Sequence, residues 1–379
     1  MAAHIVVAPD KFKGSLSAAE AASAIAQGLR RRNPTLKTVE CPIADGGEGT
    51  LSAALAAGFQ AVEVNAPGPV GDVVRTAYAR RGDTAVVEMA DVSGLGRLVG
   101  NVGEPLRASS RGLGVVVSHA LDDGCSDIVI GIGGSACTDG GAGFLCALGA
   151  ELIDKAGTTV PDGGGALASA SALDLTNLHP GLADAALLIA SDVDNPLCGP
   201  HGAAAIYGPQ KGARPDQVVE LDAGLSHWAD LVAQTTGRDL RNVPGAGAAG
   251  GVGFAAIAVV GAEIRPGVDV ILDMVGLHNN LDGAIALVTG EGCLDGQSLR
   301  GKAPIGVGME ALASGVPAFA IVGISMLTAC EVNESPFAAV YSLHDYEPDA
   351  ERSMVHARDL LGIAAVDLLE NHLHPLPRR

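Results

Sequence analysis

Four times along this chain, a short apolar run breaks into a polar, glycine-rich turn and then into a helical pattern. The segments are "HIVVAPDKFKGSLSAAEAASAIAQGL" (4–29), "TVECPIADGGEGTLSAALAAG" (38–58), "DIVIGIGGSACTDGGAGFLCALGA" (127–150) and "AIALVTGEGCLDGQSLRGKAPIGVGMEALASG" (284–315). "AALLIASDVDNPLCGPHG" (185–202) has the strand and the turn, with a less distinct helix, and "PAFAIVGI" and "AAVYSL" read as two more buried strands. Local signals agree with this plan. Ile5 to Ala8 reads as a strand, Ser17 and Glu20 form an S-x-x-E capping box, and Ala18, Ala22, Ile25 and Leu29 share one helical face. Gly58 suits the position just past a helix end, and Pro304 and Gly315 suit the first turn and the end of another. Strands alternating with helices predict a mostly parallel sheet in an α/β protein.

Ligands of such sheets bind outside the carboxyl ends of the strands. The residues leaving those ends are Asp10, Lys11 and Lys13; Asp45 and Glu48; Ser135 and Asp139; Asp192, Asp194 and Asn195; and Glu291, Asp295 and Lys302. Aspartate is a common cap and turn former, so no single acid carries an argument. Acids at nearly every exit, with lysines at two, point to a metal-assisted site.

The bulk numbers narrow the function classes. A formal charge of −19 disfavours nucleic acid as a partner. It also repels anionic ligands unless a metal ion or placed cations offset the field. Seven scattered cysteines without a C-x-x-C argue against a disulfide framework or a zinc site, and for a reducing compartment. The amino terminus lacks a basic stretch followed by a long apolar one, so no secretory signal is expected. Gly245 to Ala262 is free of charge, but its glycines and alanines suit a buried loop and helix better than a membrane span. A cytoplasmic protein is expected.

"GIGGSA" (131–136) satisfies G-x-G-x-x-A after a strand, but Glu151 is a poor match for the acid that the dinucleotide fingerprint places on the next strand. "GQSLRGKA" (296–303) misses a P-loop by its final alanine, where a hydroxyl residue would hold Mg²⁺. Lys302 precedes a helix N-terminus, which favours an anion. In "GGSACTDGGAG" the glycines allow either a phosphate nest, with Ser135 and Thr138 as donors, or tight packing, and we favour the nest. The histidines form no metal-binding pair; His372 and His374 are expected in a mobile tail.

Taken in order, "APDKFKGSLSA", "ADGGEGT", "GIGGSACTDGGAG", "SDVDNPLCGPHGAA", "GPQKGA", "PGAGAAGGVG" and "TGEGCLDGQSLRGKAPIGV" resemble the bacterial glycerate kinase family (type 1, the glycerate 2-kinase group) from about residue 4 to 345. The chain departs from the family's pattern at Cys137 and Thr138, where the family usually reads SATNDGG, at Cys293, where a basic residue is usual, and at Gly296, where another residue is common. The resemblance implies transfer of the ATP γ-phosphoryl group to D-glycerate with Mg²⁺, with 2-phosphoglycerate favoured over 3-phosphoglycerate. It implies a Rossmann-like (flavodoxin-like) domain formed by residues 1–68 and 281–379, an inserted α/β domain at 69–280, and an active site in the cleft between them. ATP and D-glycerate are the expected partners, with no nucleic acid or membrane; a homo-oligomer is left open.

Chemistry and position then suggest roles. Asp192 takes the proton of the attacking hydroxyl, or holds Mg²⁺ with Asp194. Lys302 offsets charge on the transferring group, and the Gly133–Gly134–Ser135 turn holds phosphate. Lys11 and Lys13 are candidates for the glycerate carboxylate. Asp139 and Asn195 are further substrate or phosphate candidates, and Asp45, Glu48, Glu291 and Asp295 are candidates for metal or for the substrate's hydroxyls and phosphates. A nicotinamide dehydrogenase and a non-catalytic metabolite-binding protein are the competing classes.

Overall fold

The computed structural model describes residues 3–98, 103–296, 298–300 and 302–373. These fall into two compact units. The first comprises Met1–Asp45, Ser52–Ala57 and Val268–Arg379, and the second Gly46–Leu51 and Gly58–Gly267.

The first unit is built on five parallel strands in the spatial order Phe337–Ser342, Ala318–Val322, Ala284–Thr289, His4–Val7, Lys37–Glu40. Counted along the unit's own chain this is the order 2-1-3-4-5 read from the other edge, the flavodoxin-like arrangement. Its central strands read as continuous apolar runs because both faces are covered. Ile5, Val7, Ala286, Val288, Phe319 and Ile321 pack into one core with the helices Ala18–Arg32 and Ala357–His372. Val6, Leu287, Ala318, Ala320 and Val322 point the other way, into a core shared with the helices Gly267–Val275 and Ala303–Ala313.

The helix signals hold. Ser17 caps Ala18–Arg32 in a full capping box, in which the Ser17 amide donates to Glu20 Oε2 at 3.0 Å and the Glu20 amide to Ser17 Oγ at 3.3 Å. Pro304 sits in the first turn of Ala303–Ala313, and Gly315 beyond its end has φ +69°. His372 departs from expectation: it ends the last helix, with its ring 5.1 Å from that of Phe319. His374 lies outside the described residues.

The second unit has a six-stranded mixed sheet in the order Glu263–Arg265, Ala186–Ala190, Asp127–Gly131, Thr84–Glu88, Val73–Arg81, Gln60–Pro67. Its first four strands are parallel and its last two antiparallel. Glu151–Asp154 pairs antiparallel with Ala170–Asp174 in a separate ribbon, so Glu151 is not the strand-end acid of a dinucleotide fold. The uncharged stretch forms a buried loop and the helix Val252–Ala258, and among the described residues no helix is long and apolar enough to cross a membrane.

The two chain ends meet in the first unit because the helices Ala18–Arg32 and Ala357–His372 press backbone to backbone. A Cβ on Gly28 would stand 2.4 Å from the Gly362 carbonyl oxygen. Gly28→Ala is expected to destabilise this unit by ~1–3 kcal/mol through overpacking, read from urea unfolding. An unchanged midpoint would show that the helices can separate at no cost.

Candidate functional site

In a 2-1-3-4-5 sheet, the chain leaves the first and third strands in opposite directions and opens a crevice at their carboxyl ends. Here those strands are His4–Val7 and Ala284–Thr289, and their exits are stitched together. The Ala8 amide donates to Val288 O at 2.8 Å, the Asp10 amide to Gly290 O at 2.8 Å, and the Thr289 hydroxyl to Ala8 O at 2.7 Å. Gly290 lies so close to the neighbouring strand that a Cβ there would be 2.0 Å from Ile321 O. This close approach lets the run from Gly290 to Leu294 continue alongside Gly323 to Ser325.

At this point lies a cavity of about 560 Å³. Lys11, Lys13, Asp45, Glu291, Asp295 and Lys302, six of the sequence candidates, line it. So does Asp10, which the strand-exit reading raised without giving it a role. Apolar side chains such as Phe12, Leu343 and Met354 also line the cavity. Lys302 is the N-cap of Ala303–Ala313, with Nζ 4.0 Å from Asp295 Oδ1. The Asp295 carboxylate also accepts from the Ser298 amide at 2.9 Å, which closes the turn that brings Lys302 round.

The acids at the base of the cavity are held out of water. Asp10 is 7% exposed, and burial pushes its carboxyl up to about 7. Lys11, with Nζ 3.8 Å away, opposes the rise, while Asp45 and Glu291 add to it. Burial likewise raises Glu291, whose Oε1 is buried with no hydrogen-bond partner among the described residues.

The other candidates belong to the second unit. The glycines of the 131–143 loop are answered largely by the chain itself. The Gly133 amide donates to Gly46 O at 3.2 Å, and a Cβ at Gly133 would stand 2.6 Å from Gly47 Cα. That amide therefore serves the fold and not a phosphate. Asp139 is fully buried and receives the amides of Ser110, Gly141 and Gly143 and the hydroxyls of Ser109 and Ser110, at 2.8–3.3 Å. It ties the loop down rather than reaching for substrate. Asn195 is likewise spent internally: its amide donates to His201 O at 2.9 Å and its oxygen accepts from the Tyr207 hydroxyl at 2.8 Å. Asp192, Asp194 and Glu48 are exposed, as is Gly134. Asp192 Oδ1 accepts from the Gly267 amide at 2.8 Å, which fixes one face of that carboxylate.

Two residues escaped the sequence reading. Lys211 is 2% exposed and donates to Ser135 Oγ at 2.9 Å and Cys137 O at 2.6 Å. Glu88, 6% exposed, accepts the amides of Gly49 (3.1 Å) and Leu51 (2.9 Å), and burial pushes it up to about 7. Glu88 ends a parallel strand, so the strand-exit rule could have found it; nothing in "GPQKGA" announces that its lysine is buried.

Among the described residues no three His, Cys, Asp or Glu side chains stand close enough to enclose a metal ion. Mg²⁺ commonly takes only one or two protein carboxylates, with water and substrate phosphates completing its shell. The exposed Asp192 and Asp194 carboxylates, hard oxygen donors on one loop, fit that mode of binding.

A doubly wound sheet with a charged cavity at its switch point defines an α/β protein of the kind that carries its ligand site outside the strands' carboxyl ends. Residues 5–372 match the model of the glycerate kinase family. The chain is 43% identical over 343 residues to the glycerate 2-kinase of Escherichia coli (strain K12), covering 89% of this chain and 90% of that one. It is 40% identical over 367 residues to the glycerate kinase of Bacillus subtilis (strain 168), covering 96% of each. The crystal structure named for a glycerate kinase 2 of Salmonella typhimurium LT2 superposes with a TM-score of 0.84 at 39% identity, over 98% of this chain and 99% of that one. The chain belongs to the glycerate kinase family.

The raised acids carry a pH signature. Between its ordinary value near 3.8 and about 7, Asp10 is ionised in the unfolded chain and protonated in the folded one. Folding therefore takes up a proton, and stability falls as pH rises through this window. Glu88 adds a fall of the same sign above its ordinary value of 4.5. Asp10→Asn should flatten the decline in urea midpoint between about pH 4 and pH 7; an unaltered slope would mean that Asp10 is ionised in the fold.

Proposed function

We propose that this chain is an ATP-dependent glycerate kinase of the cytoplasm. It transfers the γ-phosphoryl group to the 2-hydroxyl of D-glycerate and releases 2-phosphoglycerate. The observation that carries this reading is a family match along the chain together with a cavity at the switch point that brings Lys11, Lys13 and Lys302 among acids. Its volume lies within the usual range for small-molecule sites, ~300–1,000 Å³. The preference for the 2-hydroxyl follows the name of the Escherichia coli relative.

Phosphoryl transfer asks little covalent chemistry of a protein; alignment of the reactants and relief of charge supply most of the acceleration. In a chain of net charge −19, both must come from a few placed cations. Lys11 and Lys13 suit the carboxylate of glycerate, and Lys302 suits the transferring group. Asp45, Glu291 and Asp295, which line the cavity, suit the substrate's hydroxyls. Asp192, oriented by the Gly267 amide, would receive the proton of the attacking hydroxyl or, with Asp194, hold Mg²⁺. That ion supplies positive charge against the phosphates. The acidic surface gives nucleic acid no purchase.

Purified protein supplied with ATP, Mg²⁺ and D-glycerate, and coupled to enolase without a mutase, should form phosphoenolpyruvate at once. A requirement for mutase would identify the 3-isomer, and no ADP release would sink the kinase reading. Lys302→Met should lower kcat by ~10²–10³-fold, or about 2.7–4 kcal/mol of transition-state stabilisation. Wild-type turnover would remove Lys302 from the reaction. Asp192→Asn with intact kcat and an unchanged pH–rate profile would exclude it as the base.

A further inference from the structure

The least expected charge in the molecule is Lys211. It is 2% exposed, yet no carboxylate among the described residues comes within ion-pairing distance; its ammonium meets only the neutral oxygens of Ser135 and Cys137. Asp139 is near enough to be felt electrostatically, but five other donors take up its carboxylate. Burial accordingly lowers the affinity of Lys211 for its proton. A buried cation without a carboxylate partner is costly, and an anion from outside the chain would relieve that cost.

A second observation points the same way. An ammonium can only donate, so Ser135 Oγ is the acceptor in its bond to Lys211. The Ser135 hydroxyl hydrogen has no acceptor among the described residues. Ser135 is 5% exposed beside the exposed Gly134, and Thr138 Oγ1, three residues on, is buried with no hydrogen-bond partner among the described residues. The bend thus combines a fixed positive charge below it, a spare hydroxyl donor, and a glycine without a side chain to obstruct a ligand.

We propose that Lys211 is a positioning residue that makes the bend from Gly133 to Ser135 a seat for an anionic oxygen, phosphate or carboxylate, of one of the two substrates. This rests on the kinase reading above. Lys211 acts through Ser135: it holds the hydroxyl as a donor toward the ligand and provides the charge that the ligand neutralises. Such an interaction is present in the bound ground state as well as in the transition state, so it appears chiefly in KM.

Lys211→Met keeps the length and apolar bulk of the side chain and removes the charge and the donors. It should raise one KM by roughly 10–100-fold while kcat changes by less than about threefold. A shift in the KM for MgATP identifies a phosphate oxygen, and a shift in the KM for D-glycerate a carboxylate. Ser135→Ala should raise the same KM, and the double variant should be no worse than Lys211→Met alone, because the two act as one unit. Unchanged KM values in both variants, whatever happens to kcat or to melting temperature, would overturn the proposal. Should Lys211→Met not fold, Ser135→Ala decides by itself, since Lys211 keeps its bond to Cys137 O, and an unchanged KM overturns it. Wild-type protein that releases no ADP with glycerate would sink the kinase reading instead.

Discussion

Close approach of backbone to backbone, possible only where a residue has no side chain, underlies both units. Gly28 lets the first long helix lie on Gly362 of the last, and so binds the two ends of the chain into one sheet unit. Gly290 presses against Ile321, and Gly323 against Gly292, so that two neighbouring strands continue together past the sheet edge. Gly133 and Gly47 do the same in the second unit. Each contact forfeits side-chain burial and costs backbone entropy. What is gained is loops held at fixed positions just where strand ends would otherwise fray.

Those loops carry most of the chemistry. Asp10 and Glu291 follow adjacent parallel strands, and the stitched exits keep their carboxylates together at the base of one cavity and out of water. Their raised affinities for protons follow from burial first, and the neighbouring Asp45 carboxylate adds to both. The site is thus poised to gain from a cation or a hydroxyl donor. Lys211 is the inverse case, a cation kept out of water with only neutral oxygens as hydrogen-bond partners among the described residues. Charges of both signs are left incompletely answered by the protein, as is common where a ligand completes the pairing.

Much of this was legible beforehand. The S-x-x-E box at Ser17, the Pro304 to Gly315 helix and the central strands all announce themselves through local rules, because capping and burial periodicity depend on residues a few positions apart. The strand-exit rule gathered Lys11, Lys13, Asp45, Glu291, Asp295 and Lys302, and the structure places them round one cavity. At Asp139 and Asn195 it could not see that the side chains already have partners within the fold, Ser110 lying 29 residues from Asp139, and His201 and Tyr207 6 and 12 residues from Asn195. The G-x-G-x-x-A match was silent on what followed it, a separate antiparallel ribbon.

By itself, then, the sequence determined the element types, the parallel class of the first sheet and the family, since all three rest on short-range pattern and on the order of motifs. Tertiary structure alone decided which acids lose their water, which polar groups are already satisfied, and that Lys211 lies buried beneath Ser135 without a carboxylate. Desolvation and hydrogen-bond saturation depend on everything packed around a group, and most of those neighbours arrive from distant parts of the chain.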